Sequence, residues 1–378
     1  MTERNDIGVM IEEIEATPQM VADKLPEFMA ELQRRSPLFE GRHYTKVYAV
    51  GCGDSLYAAQ AAQYAFMKNT GLPCQACEAL EFCRYDVDYM PAGALVLVIS
   101  YSGTVARTVE CARMAKRAGA TVVAITGKER GALAQTCGEA VVYHIDSRGF
   151  APGTISFSAS LLMLYACSVA LGRANGYLTP DAAAAQHAQL AALPAVLRSA
   201  LAAGRAPALA AAERYTGLKD FTIIGAGPNL AIAHYGVAKL IEGGEISGTP
   251  QELEEWAHIQ YFTTQQRDCV VVIAPAGRCC SRAAELLAEM RFLGCGSVLV
   301  GTGDAGDLPA DFALLAEDGV DEVYTPLVTG LLCALFAYSL SLASGKQAYD
   351  FPSQQIEEEH YRTIHHSAFR PEAEEVAP

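Results

Sequence analysis

Ser100-Tyr101-Ser102-Gly103-Thr104 sets three hydroxyls around a glycine within five residues, directly after the apolar run Leu95–Ile99. Hydroxyls at the carboxyl end of a strand, together with free N–H groups at the start of the next helix, suit a phosphate. Each hydrogen bond to such a charged group contributes ~1.5–3 kcal/mol. A single serine here would read as a turn or N-cap residue; three hydroxyls around one glycine favour an anion. Gly51-Cys52-Gly53-Asp54-Ser55 is a second loop of the same kind. Its GxG is weak alone, and without a full GxGxxG or a Walker motif nucleotide binding has little support. A second chemical set lies far along the chain. Lys239 and Glu242 are spaced i, i+3 on one helix face, and His258 follows in Glu254-Glu255-Trp256-Ala257-His258. A Glu and a His supply a base and an acid near neutral pH, typically ~10²–10⁴-fold in rate. By spacing alone, a solvated salt-bridged face is the plainer reading of Lys239 and Glu242.

The elements that carry these residues repeat. Lys46–Gly53 is a short apolar strand ending in GxG, followed by an Ala-rich helix over Ser55–Met67. Phe221–Gly227 does the same, followed by a helix over Asn229–Ile241, at a shift of 174 residues. Leu95–Gly103 lies over Cys269–Gly277, and Thr121–Gly127 over Cys295–Gly301, at the same shift. The chain therefore reads as a tandem duplication of one α/β unit. Its strands are near-continuous Val/Ile runs alternating with amphipathic helices such as Val105–Ala118 and Ser281–Leu293. That is the pattern of a parallel sheet covered on both faces. A helical lead-in, Val9–Gln33, precedes the first unit. The connection Asp181–Ala212 is Ala-rich and helical, with breaks expected at Pro194 and Pro207. The halves differ at one decisive place: Ser100, Ser102 and their glycine face Ala274, Ala276 and Gly277. An anion site is expected in the first half and none in the second.

Composition narrows the class. The chain has 378 residues, 51% hydrophobic and 19% charged, which is an ordinary globular balance for two or three domains. Its net charge of −15 repels polyanions, so nucleic acid and anionic membranes are excluded as general partners. No secretory signal opens the sequence. Two long uncharged runs, Gly149–Gly172 and Val323–Gly345, are too broken by Ser, Thr, Gly and Pro for a membrane span and read as core or interface helices. Twelve cysteines scattered through apolar runs suit reduced thiols in the cytoplasm. Cys74 and Cys77 form a CxxC with no second pair at zinc spacing, so no metal is expected.

On these motifs the chain resembles the SIS (sugar isomerase) family, with two tandem SIS domains as in the isomerase half of glucosamine-6-phosphate synthase and in phosphosugar deglycases. Ser100-Tyr101-Ser102-Gly103 matches the family's S-x-S-G phosphate loop. Ala238-Lys239-Leu240-Ile241-Glu242 resembles its L-K-L-K-E segment, and Glu255-Trp256-Ala257-His258 falls where the family has E-L-K-H. The lead-in Met10–Pro18 resembles the synthase linker. The resemblance implies a flavodoxin- or Rossmann-like three-layer fold in each unit. It divides the chain into a lead-in over 1–35, a first SIS domain over 36–180, a second over 200–345 and a tail over 346–378. It also implies roles. Glu242 would be the base at C1/C2 and His258 the acid, reaching across a dimer interface. Gly53, Ser55, Ser100, Tyr101, Ser102, Gly103 and Thr104 would hold the phosphate, and Thr154 would line the sugar site. Lys239 is assigned to substrate binding. A homodimer is expected, with the apolar Leu327–Gly345 helix offering surface.

The departures from the pattern refine the expectation. Val105 stands where the family loop has Thr, with Thr104 before it. No lysine follows Lys346, so the synthase's Schiff-base lysine has no counterpart. The first cysteine is Cys52, so glutaminase chemistry is not expected. His258-Ile259-Gln260 replaces H-G-P. A substrate that already contains its C–N bond needs no enzyme lysine. The expected function is thus a deglycase that splits a fructosamine 6-phosphate, such as fructoselysine 6-phosphate, into glucose 6-phosphate and free amine without a cofactor. The alternatives are a ketose/aldose isomerase, an amino-sugar-phosphate deaminase, or a non-catalytic sugar-phosphate sensor. The roles of His360, His365 and His366 stay open.

Overall fold

The computed structural model describes residues 7–146, 148–149, 151–303, 308–349, 351–360 and 363. His365 and His366 lie outside them. The chain opens with helix α1 (Ile7–Arg34). The first sheet unit then runs β1 (Lys46–Gly51), α2 (Asp54–Thr70), β2 (Cys74–Glu78), α3 (Ala79–Arg84), β3 (Ala94–Ile99), α4 (Ala106–Arg117), β4 (Thr121–Thr126), α5 (Ala132–Cys137), β5 (Ala140–Val142) and α6 (Ile155–Ala174). Helix α7 (Pro180–Tyr215) leads to the second unit: β6 (Asp220–Gly225), α8 (Leu230–Gly244), β7 (Ser247–Glu252), α9 (Leu253–His258), β8 (Cys269–Ile273), α10 (Cys280–Leu293), β9 (Gly296–Thr302), β10 (Phe312–Ala316) and α11 (Pro326–Ser344). A short helix, α12 (Gln354–His360), follows.

Each unit is a five-stranded parallel sheet with the same order, β2-β1-β3-β4-β5 and β7-β6-β8-β9-β10. The two sheets also match in the register of their central strands. Val50 sits opposite Val98 in the first sheet, and Ile224 opposite Val272 in the second. The third strand departs from the constant shift read in the sequence. Val98 faces Ala124, whereas Val272 faces Leu299, so β9 is displaced by one further residue. The extra residue falls between β8 and β9: α10 has 14 residues where α4 has 12, and the turn that follows is shorter by one, so the pairing is unchanged.

Alternation along the strands builds the layers. Val47, Ala49, Leu95, Leu97 and Ile99 face inward to one large core, shared with Phe221, Ile223, Val271, Ile273 and Val298 from the second sheet. Helices α1, α2, α6, α7, α8 and α11 supply the rest of that core, so they fill the space between the sheets. The opposite faces carry smaller cores against α3, α4 and α5 on one side and α9 and α10 on the other. The two helices α6 and α11 are long and apolar enough to cross a membrane by length and composition, and both are mostly buried in this central layer.

Two expectations change here. Helix α7 runs unbroken through Pro194 and Pro207. A proline removes one backbone hydrogen bond, and burial of Leu190, Leu193, Pro194, Leu197, Ala208 and Ala211 against the central core outweighs that local cost. Helix α11 does not offer a free apolar face: Leu327, Val328, Leu331, Leu332, Leu335, Phe336 and Leu340 are all buried within the chain.

Candidate functional site

The site grows from the strand-to-helix turns at the carboxyl ends of the sheets. After β1 the chain must double back tightly into α2. A side chain at Gly51 would stand 2.8 Å from the Ser55 backbone, and Gly53 adopts φ +54, which L side chains rarely accept. The second unit repeats the device with Gly225, 2.5 Å from the Asn229 carbonyl, and Gly227 at φ +55. The turn in the first unit delivers Asp54 at the start of α2; Pro228 occupies the matching place in the second.

Asp54 is the residue that sequence reading passed over. Its Oδ2 receives a hydrogen bond of 2.8 Å from Nζ of Lys239, which comes from α8 in the other unit. The same Nζ donates to Glu242 Oε2 at 2.6 Å and to the Gly153 carbonyl at 3.4 Å. Lys239 is completely buried, with its ammonium 5.0 Å from the centre of the Tyr235 ring. It is not part of a solvated face, because the packing of α8 against α2 turns that face into the interior. Its three N–H groups are all engaged, so Lys239 positions Asp54 and Glu242 and is not free to bind substrate as assigned. The sequence offered one signal for Asp54: a carboxylate in a loop otherwise suited to an anion is a local conflict.

The charges reflect this arrangement. Burial pushes the Asp54 carboxyl up to about 6, against the attraction of Lys239 and with repulsion from Glu242 and Glu13. The Lys239 ammonium is held well above its ordinary value by Asp54 and Glu242, although burial opposes this. Asp54 Oδ1 is buried with no hydrogen-bond partner among the described residues. Tyr57 is raised by burial and by the same two carboxylates. Glu242 is covered by a strap from the far end of the chain. Tyr349 donates its backbone N–H to the Glu242 carbonyl at 2.9 Å and its phenol to Glu242 Oε2 at 3.2 Å. Tyr349 does so at φ +50, an uncommon conformation for a tyrosine. No sequence pattern marked it.

The other named residues fall in three groups. Ser102 and Thr104 are exposed, with Thr104 Oγ1 donating to Ser102 Oγ at 3.1 Å. Ser100 is buried, and its Oγ accepts from the Gly103 N–H at 3.2 Å; Gly103 has φ +65. Val105, the N-cap of α4, gives that helix no side-chain cap, and among the described residues no side chain accepts from its first N–H groups beside the hydroxyls. Gly53 is the N-cap of α2 and Ser55 lies in its first turn, just past the end of the adjacent strand β1, and no side-chain hydrogen bond engages Ser55 among the described residues. Two residues are turned to structural work. The Tyr101 phenol donates to the Ile145 carbonyl at 3.1 Å, and the Thr154 hydroxyl donates to Glu13 at 3.0 Å while Glu13 also accepts the N–H groups of Thr154 and Ile155. Glu13 thereby caps α6 from the lead-in helix. His258 stands apart on α9. Its side chain is 65% exposed and lies 3.3 Å from Glu254, and no hydrogen bond or ion pair joins it to Glu242 within the chain.

The matching loop of the second unit is filled from within. Glu322 Oε1 accepts the N–H of Arg278 at 3.2 Å, and its carboxyl sits where a side chain on Gly277 would stand, 2.6 Å away. The chain's own carboxylate thus occupies the position that hydroxyls leave open in the first unit. Among the described residues no cluster of three or more His, Cys, Asp or Glu is placed to hold a metal ion. All twelve cysteines are free; burial pushes the Cys52 thiol up to about 12, with Glu78 adding to the shift.

Residues 42–171, which span the first sheet unit, match the SIS domain family. The second sheet lies beyond that match and is related to the first by its strand order and register. Over 349 residues the chain is 27% identical to glutamine--fructose-6-phosphate aminotransferase [isomerizing] of Zymomonas mobilis, covering 89% of this chain and 56% of that protein. The Mycolicibacterium smegmatis protein of the same name is 27% identical over 347 residues, 89% of this chain and 55% of that protein. The chain spans about half the length of the curated relatives it matches. Among solved structures it is similar to the C-terminal domain of glucosamine-fructose-6-phosphate aminotransferase from Francisella tularensis, with a TM-score of 0.80 at 21% identity over 90% of this chain and 97% of that one. It also shares its fold with tagatose-6-phosphate ketose/aldose isomerase from Escherichia coli, with a TM-score of 0.69 at 18% identity over 89% and 92%.

Proposed function

We propose that the chain is a phosphosugar enzyme built from two SIS-type units, and that it cleaves fructosamine 6-phosphates to glucose 6-phosphate and a free amine. The observation that carries this reading is the pairing of Asp54 and Glu242 on one buried lysine, beside an open hydroxyl loop. The site then has two poles. Ser100, Ser102, Gly103, Thr104 and the uncapped start of α4 take the phosphate. Two carboxylates against one ammonium leave negative charge at the other end, which suits the protonated nitrogen of a ketoamine. The names of the relatives, which are phosphosugar aminotransferases and isomerases, support the sugar-phosphate part of the reading.

In the mechanism, Asp54 holds the substrate nitrogen, which is bonded to C1. Glu242 shares a lysine with Asp54, so its carboxylate reaches the C1 hydrogens. It removes one C1 proton to give the enaminol, and protonation at C2 gives the aldimine. Water then adds to C1, the C1–N bond breaks, and the amine leaves with the proton. The net reaction is ketoamine plus water to aldose phosphate plus amine, so no oxidant or reductant is needed. His258 is the acid of a neighbouring subunit's site in a homodimer. Support comes from its exposure and from Ile259 and Phe262 beside it, which are 57% and 80% exposed apolar side chains. Tyr349 and its strap must move to admit substrate. We place the protein in the cytoplasm, in keeping with twelve free thiols.

The test is a product assay on purified protein with fructoselysine 6-phosphate in one tube and fructose 6-phosphate plus ammonia in another. Glucose 6-phosphate and lysine released in equal amounts, and lost in Glu242→Gln, are the expected result. An amino-sugar phosphate or aldose phosphate formed only in the second tube would replace the deglycase reading with a deaminase or isomerase one. Silence in both tubes with sugar phosphate still bound would make the protein a sensor.

A further inference from the structure

The second unit carries a cationic cleft at the end of its sheet opposite the strand-to-helix loops. Arg214 at the end of α7, Arg267 before β8 and Arg291 near the end of α10 line one cavity of about 570 Å³ at the amino-terminal edge of β8, β9 and β10. Among the described residues none of the three has an ion-pair partner, whereas arginines elsewhere, such as Arg84, Arg107 and Arg282, pair with carboxylates. Two carboxylates share the cleft, but other donors already engage them. Asp311 Oδ2 accepts from the Tyr215 phenol at 3.1 Å and from the Ser297 N–H at 2.9 Å; Asp268 Oδ2 accepts from the Gln265 N–H at 2.7 Å.

The duplication provides an internal control. The first unit, at the positions of Arg214 and Arg267, has Glu40 and Gly93. At the position of Arg291 it has the pair Lys116 and Arg117, of which Lys116 donates to the carbonyls of Thr136 and Cys137. The folding of this unit therefore does not call for three arginines here. Arg214 lies over the Tyr215 ring, 5.6 Å from its centre, and a chain of net charge −15 that leaves three guanidinium groups without ion-pair partners among the described residues holds a local positive field against its global one. Each guanidinium offers a planar fork of donors that matches phosphate oxygens two at a time.

We propose that this cleft binds a small organic phosphate carrying at least two negative charges, at a site separate from the hydroxyl loop of the first unit. The volume exceeds that of a bare phosphate and lies within the range of small-molecule pockets.

The experiment uses pyrophosphate as probe, titrated into the full chain by calorimetry at low salt. Ser102→Ala is the background, since it weakens the hydroxyl loop that would otherwise compete. Saturable binding is expected, weakened at least ~10-fold when Arg267→Ala and Arg291→Ala are added together, about 1.4 kcal/mol. Both side chains are exposed, so circular dichroism should match the parent. Arg267→Lys with Arg291→Lys should recover only part of the loss, because charge returns without the fork. An affinity unchanged by the alanine pair, or no saturation up to roughly 10 mM probe, where binding is weaker than about 3 kcal/mol, would overturn the proposal.

Discussion

The two sheet units have the same strand order and matched registers, yet their strand-to-helix loops have opposite chemistry. In the first, Ser102 and Thr104 stand open at the mouth of an uncapped helix. In the second, alanines replace the serines and Glu322 fills the anion position from inside the chain. In the first, Asp54 opens the helix after β1; in the second, Pro228 closes the same place. The two units are scaffolds of equal strand order, and each carries half of the candidate chemistry: the hydroxyl loop and Asp54 in one, Lys239 and Glu242 in the other. The site exists only where α8 packs against α2, so neither unit alone would carry it.

The comparison can be broken most decisively at that junction. Glu242→Gln should lower turnover of a fructosamine 6-phosphate by about 10²–10⁴-fold while sugar-phosphate affinity changes little. Stopped-assay rates beside equilibrium binding would check this, and retained turnover would remove the base from the second unit. Lys239→Met should destabilise the fold by about 3–5 kcal/mol, because it leaves two carboxylates of one buried cluster without their cation. Urea unfolding measures this; a loss of a few tenths would mean that the units dock without the lysine.

Smaller effects sharpen the contrast. Ser102→Ala should weaken sugar-phosphate binding by about 1.5–3 kcal/mol, and Ala276→Ser in the second unit should gain nothing, since Glu322 already occupies that loop. A calorimetric titration of both variants would separate the loops. The smallest effect is a pH slope. The Asp54 carboxyl sits at about 6 in the fold against an ordinary 3.8. Between those values the folded state holds more proton than the unfolded state, so this group's contribution to stability falls as pH rises through the window. Asp54→Asn should remove that slope from chemical denaturation curves taken at successive pH values. The same substitution should remove an acidic limb near pH 6 from kcat/KM for the amine substrate, because ionised Asp54 is the form that holds the ammonium.

Much of the architecture was legible in the chain itself. Val/Ile runs ending in GxG and repeated after 174 residues specify two parallel sheets, because buried parallel strands carry apolar residues on both faces. The hydroxyl loop was legible for the same local reason: three hydroxyls around a left-handed glycine can be counted in five residues. The helical breaks expected at Pro194 and Pro207 were not found, because local propensity is a few kcal/mol and burial along α7 exceeds it. The shift of 175 residues at β9 was hidden because a helix longer by two residues and a turn shorter by one leave the apolar strand runs looking the same.

What the sequence determined by itself was short-range: strand and helix periodicity, the glycine turns, the duplication, and the identities of Ser100, Ser102, Glu242 and His258 as chemical candidates. What the tertiary structure decided was association across long separations. Lys239 reaches Asp54 over 185 residues, and Tyr349 reaches Glu242 over 107. No spacing rule predicts such pairs, since they depend on which faces of α2, α8 and the C-terminal strap meet. Burial then gives them their chemistry, by removing Lys239 from water and lifting the Asp54 carboxyl toward neutrality. Whether a lysine at i and a glutamate at i+3 form a solvated pair or the centre of a site is settled by the helix packed against them.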